Sequence, residues 1–307
     1  MRKSFRIRTV GATVLAFALI ASACGDDDAS GDVPADGPTI TVGSTNFSEQ
    51  LIVGEIYGQA MEAAGYPVER SFNLGSREVV NPALKSGEID LMVEYTGTLL
   101  TFEGGTSTTD SQETYDSLAA VYSGTDLTVA NYTPAQDKNG IVVTAGFAAD
   151  NGVAKTSDLA AMNGTLVFGG PPECPQREFC LIGLTDADVY GLDFAEFKPL
   201  DVGGPLTVAA LEGGEIDVAL LFSSDGVIAA KGFVLLEDDL NLQPADNLVP
   251  VLRQEIVDAY GQALVDLLDS VSAELTTAEL SELNKRFNLD AEDADVLAKD
   301  WLADHGF

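Results

Sequence analysis

LKSGEIDLMVEY, from Leu84 to Tyr95, and LEGGEIDVALLF, from Leu211 to Phe222, align without a gap, with glycine on glycine and Glu-Ile-Asp on Glu-Ile-Asp. In each copy a helical stretch ends at glycine, a turn follows, and an apolar run leads out to an aromatic, Tyr95 or Phe222. A small hydroxyl residue comes next, Thr96 or Ser223. A helix, turn and buried strand stated twice predict two similar halves, each a sheet covered by helices. The remaining sequence fits that plan. Short β-rich runs ITVGS (Ile40 to Ser44), VERSF, GIVVT (Gly140 to Thr144), TLVFG, a run around Phe197 and LVPVLR (Leu248 to Arg253) join the two repeated strands. They alternate with helical stretches from Ser48 to Ala64, Ser76 to Ser86, Asp110 to Tyr122, from Ser157, toward Tyr190 and from Pro205 to Leu211. Thr277 and Asp293 open helices that close the chain. The expectation is an α/β fold with largely parallel sheets.

The chain begins with Arg2, Lys3, Arg6 and Arg8, followed by VGATVLAFALIASA up to Cys24. A basic start, an apolar segment too short to span a bilayer and small residues before a cysteine predict a secretory signal over residues 1–23. Ile20-Ala21-Ser22-Ala23-Cys24 resembles a bacterial lipobox, which implies a lipid on Cys24; the other reading is ordinary cleavage nearby with a free thiol. Residues 24–38 are acidic and rich in Gly, Pro and Ser, and read as a tether. The folded protein is expected to start near Thr39.

Forty-nine acidic residues against 16 basic ones give a formal net charge of -33, more negative still once the basic leader is set aside. Nucleic acid and anionic lipid would have to approach a like-charged surface and are poor partners. Export also frames the cysteines. Cys174 and Cys180 stand close together in PPECPQREFC, and in an oxidising compartment they read as a loop disulfide. The rival, a metal site, lacks soft ligands, because the chain has a single histidine, His305. That histidine is read as an exposed residue at a helix end.

Ligands in open α/β sheets sit beyond the carboxyl ends of the strands, so two facing lobes would present Tyr95-Thr96-Gly97-Thr98 and Phe222-Ser223-Ser224-Asp225 to a common cleft. The bland reading is that Tyr95 and Phe222 are core aromatics at strand ends. TNFSEQLIVGEIYGQAMEAAGY, NLGSREVVNPALKSGEIDLMVEYTGT, VYGLDFAEFKPLDVGGPLTVAALEGGEIDVALLFSSDGVIA, LEDD and NLVPVLR resemble the substrate-binding lipoproteins of ABC importers for glycine betaine, choline, carnitine and related osmoprotectants. The resemblance implies a two-lobe type II periplasmic-binding-protein fold with ligand trapped between the lobes. It places the crossovers near Gly140 to Thr144 and near Asp246 to Val251, lobe one at 39–142 and 248–307, and lobe two at 143–247. It implies an extracytoplasmic, lipid-anchored protein at the cell membrane that delivers its solute to permease and ATPase subunits, with no cofactor.

A quaternary ammonium has no donor proton and is held by aromatic faces. A carboxylate, where the ligand has one, needs N–H groups, hydroxyls or Arg. Tyr95, Asn46, Gln50, Ser223 and Asp225 carry over from the family's motifs, and Ser76, Thr96, Thr98 and Arg177 are further polar candidates. Phe222 stands where several members have Tyr, keeping a π face without the hydroxyl. Tyr132 and Phe47 are candidates to complete the aromatic set, Phe47 equally a packing residue under the first helix. Arg177 reads either as a ligand group or as a surface residue. Two alternatives stand beside this one: a binding protein of the same fold for a non-quaternary solute, and a surface adhesion lipoprotein, against which the two-lobe duplication counts. An enzyme would need a nucleophile with its base, tuned carboxylates or a metal. No local signature of one is present, and the chain is read as not an enzyme.

Overall fold

The computed structural model describes residues 37–307. The expected signal segment, Cys24 and nearly all of the tether lie outside the described residues.

Among the described residues, ten strands form two five-stranded sheets. They are β1 (Ile40–Gly43), β2 (Val68–Ser71), β3 (Leu91–Tyr95), β4 (Leu127–Val129), β5 (Asn139–Thr144), β6 (Val167–Gly170), β7 (Glu196–Pro199), β8 (Val218–Phe222), β9 (Phe233–Leu235) and β10 (Leu248–Arg253). The first sheet has the order β2-β1-β3-β10-β4 and the second β7-β6-β8-β5-β9, the same arrangement twice. Within each, three strands run parallel and the fourth, β10 or β5, is antiparallel to both neighbours. Alternate residues of one strand serve opposite layers: Leu91, Val93 and Tyr95 enter one buried cluster and Met92 another, as Val218 and Leu220 separate from Ala219 and Leu221. Each sheet is thus covered on both faces and makes one lobe.

The repeated Gly-Glu-Ile-Asp has an architectural job that is the same in both lobes. Gly87 and Gly214 take positive φ (79° and 68°), a left-handed backbone that favours glycine, and so turn the chain out of the preceding helix. The Asp90 carboxylate accepts from the Thr41 N–H at 2.9 Å, and Asp217 accepts from the Val167 N–H at 2.8 Å. The backbone N–H of each aspartate donates in turn to the carbonyl of the same residue, Thr41 or Val167. The isoleucine lies over a glycine of the neighbouring strand: a Cβ on Gly43 would come within 2.3 Å of Ile89 Cδ1, and one on Gly169 within 2.5 Å of Ile216 Cδ1. The motif therefore sets the register of β3 on β1 and of β8 on β6.

Some local expectations change. Strand β5 pairs throughout with second-sheet strands, so residues 139–142 belong with lobe two, and the chain crosses just before them. Asp137 donates its N–H to the Asp246 carbonyl at 3.0 Å, and Gln136 pairs antiparallel with Asn247, so the two crossing segments run side by side as the hinge. The segment toward Tyr190 is short helical turns rather than one helix, and Tyr190 lies beyond them, its hydroxyl donating to Asp238 at 2.6 Å. His305 is half-buried, stacked on Trp301 at 4.2 Å, rather than exposed.

Candidate functional site

The carboxyl ends of β1, β3, β6 and β8 converge on a cleft of about 600 Å³ between the lobes. Asn46, Phe47, Ser76, Tyr95 and Thr98 line it from the first lobe, Arg177 and Phe222 from the second. Phe47, Tyr95 and Phe222 form one aromatic wall, but Tyr95 and Phe222 do not enclose an open slot. Phe47 lies between them, stacked at 6.2 Å on Tyr95 and 5.1 Å on Phe222. The ring read as either packing or ligand contact is the centre of the wall.

The other expected residues fall behind or outside the wall. Gln50 and Thr96 are buried: Gln50 Nε2 donates to the Tyr95 hydroxyl at 3.1 Å, and Thr96 Oγ1 accepts the Asn247 N–H at 3.1 Å. Ser223 does not line the cleft; its Oγ accepts the Lys138 N–H at 2.8 Å and secures the crossing segment. Asp225 accepts the Val227 N–H at 3.1 Å and starts a short helix. Tyr132 is away from the cleft, packed on Tyr115 at 5.1 Å and donating to Gln112. Cys174 and Cys180 form a disulfide with Cα atoms 5.3 Å apart, in the loop that presents Arg177 at the rim.

Sequence reasoning missed the buried charges. Arg77 is almost enclosed and grips Glu94 through Nε and Nη2, at 2.9 and 2.6 Å, with Nη2 also donating to Thr98 Oγ1 at 2.8 Å. Asp246 Oδ1 accepts from the N–H groups of Gly97 and Thr98 at 2.8 and 3.0 Å, occupying the start of the helix Thr96–Phe102. Burial pushes the Asp246 carboxyl up to about 7 against those bonds and Arg77. Nothing in the sequence separates these acids from 47 others; their burial is a product of the fold.

A second network joins the lobes behind the aromatic wall. The Tyr95 hydroxyl donates to Glu49 Oε1 at 2.6 Å, and Asn284 Nδ2 donates to Glu49 Oε2 at 2.6 Å. The Ser224 hydroxyl lies 2.6 Å from Glu49 Oε2 and 2.8 Å from Asp137 Oδ1. A single hydroxyl proton faces two carboxyl groups there, an arrangement that favours the protonated form of one of them. Burial raises both acids, Asp137 well above the ordinary range and further still because Glu49 is near.

A family model for the substrate binding domain of ABC-type glycine betaine transport system matches residues 38–304. The glycine betaine-binding protein YehZ of Escherichia coli (strain K12) is 27% identical over 280 residues, 87% of this chain and 91% of the relative. The ergothioneine transport permease/ergothioneine binding protein EgtU of Helicobacter pylori (strain G27) is 25% identical over 265 residues, 86% of this chain and 47% of the relative. A solved structure described as a glycine betaine/carnitine/choline ABC transporter superposes with a TM-score of 0.70 at 24% identity, covering 87% of this chain and 98% of that one. Its agreement is one of fold.

Proposed function

The chain belongs to the family of substrate binding domains of ABC-type glycine betaine transport systems, and from that premise we propose that it captures a small osmoprotectant-type solute with a quaternary ammonium group outside the cytoplasmic membrane and delivers it to an ABC permease. Glycine betaine, carnitine and ergothioneine, named for its relatives, all carry a trimethylammonium group. The observation that carries the reading is the Phe47–Tyr95–Phe222 wall in a cleft that also holds buried acids. Aromatic faces attract a quaternary ammonium by about 0.5 to 2 kcal/mol each, depending on desolvation. Anchoring through a lipid on Cys24 would keep the lobes beside the permease.

The test is calorimetric titration of the purified protein with choline, glycine betaine, carnitine and uncharged solutes. A binder gains thermal stability with its ligand as mass action requires. Saturable binding of at least one trimethylammonium compound, lost in Phe222→Ala while that variant still melts cooperatively, supports the proposal. Indifference to all of them rejects it. For the anchor, Cys24→Ala should release the protein from membranes, and full retention of that variant would count against lipidation.

A further inference from the structure

Resting on the reading of the cleft as a solute site, we propose that it selects an organic cation that carries a hydroxyl or N–H donor and no carboxylate, with Asp246 and Asp137 as the specificity-determining residues. A ligand carboxylate would need a free cation or unoccupied N–H groups in the cleft. The two arginines that line the cleft are both committed to acids: Arg77 to Glu94, and Arg177 to Glu78 and Glu173. The N–H groups at the start of the helix Thr96–Phe102, a natural seat for an anion, are taken by the protein's own Asp246. No lining cation is left unpaired among the described residues.

The acids are arranged in the opposite way. Asp246 and Asp137 line the cleft, 3% and 4% exposed, and each anchors one carboxyl oxygen, Oδ1, on backbone N–H groups: those of Gly97 and Thr98 for Asp246, that of Ser224 for Asp137. The other oxygen of each, Oδ2, has no hydrogen-bond partner among the described residues. The backbone bond from Asp137 to Asp246 holds the two side by side at the hinge. A buried carboxyl with an open acceptor favours a donor or a cation and repels a second carboxylate. The aromatic wall supplies the face for the onium end, and the two aspartates supply the acceptors for a hydroxyl or N–H at the other end. Choline has that pattern. Glycine betaine lacks the donor and adds a carboxylate, and carnitine has the hydroxyl together with a carboxylate.

Calorimetry of the purified protein at pH 8 with these three compounds tests the proposal. Choline should bind at least tenfold more tightly than glycine betaine, and more tightly than carnitine, which shares its onium and hydroxyl and so isolates the effect of the carboxylate. Asp246→Asn retains an acceptor for Gly97 and Thr98 and should fold; it should lower choline affinity about tenfold and narrow the choline to glycine betaine ratio. Asp137→Asn serves as the second variant and should narrow the ratio as well. Glycine betaine binding as tightly as choline would overturn the selectivity while leaving the cleft an osmoprotectant site, and so would a ratio unchanged in both variants. No binding of any of the three would overturn the reading on which the proposal rests.

Discussion

Burial of Asp246 has a thermodynamic signature apart from any ligand. Its folded carboxyl titrates near 7, against about 3.9 for an unfolded aspartate. Between those values the folded protein holds a proton that the unfolded chain has released, so this group's contribution to stability falls as pH rises through that window and is level above it. Asp246→Asn should match the wild type near pH 4 and exceed it by on the order of 4 kcal/mol at pH 8. Urea denaturation at several pH values reads the difference; parallel curves for the two proteins would sink the argument. Tyr95 separates ring from hydroxyl in the same manner. Its hydroxyl points away from the cleft to Glu49 and Gln50, so Tyr95→Phe should cost about 1 to 3 kcal/mol of stability by leaving buried partners unmade, with affinity little changed. Tyr95→Ala also removes the middle ring's neighbour and should weaken ligand binding at least tenfold, about 1.4 kcal/mol. Equal affinities for Tyr95→Ala and wild type would make the ring a core residue only.

Among elements, the twin helix–turn–strand units divide their duties residue by residue. Asp90→Ala and Asp217→Ala each remove a carboxylate that fixes strand register, and each should destabilise by about 1 to 3 kcal/mol. Ligand affinity of the folded fraction should stay within about twofold, because neither residue lines the cleft; a large affinity loss with no stability change would show the motif to be part of the site. This is also where the sequence was most informative. Gapless alignment exposed both strands, and their apolar runs marked them as buried on both faces, because a covered parallel strand has no solvent side to encode. The short helices Thr96–Phe102, Ala145–Asn151 and Val227–Lys231 went unread, since so few residues hold barely two helical turns and establish no period. The motif ends pointed to Tyr95 and Phe222 at the cleft. They could not indicate that Phe47 would fill the space between them, nor that Tyr132 would face another helix, because both depend on where distant backbone segments pass. Arg77 and Asp246 escaped for a related reason: an ionisable residue is exposed by default, and only tertiary packing makes it an exception.

Across the whole molecule, the lobes meet at the rim of the cleft through Arg177 and Glu78. Arg177 Nη2 lies 3.1 Å from both oxygens of Glu78, which stands in the first turn of a first-lobe helix, and 3.6 Å from Glu173 in its own loop. That loop is closed by the Cys174–Cys180 bond, which limits how far Arg177 can move from its partner. With side chains 32% and 46% exposed, the pair is screened by water and contributes no more than about 0.5 to 1 kcal/mol. A contact made only when the lobes are together slows opening and hence ligand escape, without altering the first encounter. Glu78→Gln should therefore raise the dissociation rate about two- to fivefold and leave association nearly unchanged, as followed by stopped-flow displacement with excess competing ligand. High salt should accelerate release from the wild type and do so less in the variant, because the charge pair it screens is already gone. Reducing the disulfide frees the loop and should accelerate release from the wild type in the same direction. In Glu78→Gln the reduction should add little, since the loop then has no charge to hold in place. If reduction hastens release equally in both proteins, the disulfide acts on the lobe itself and not through the Arg177–Glu78 contact.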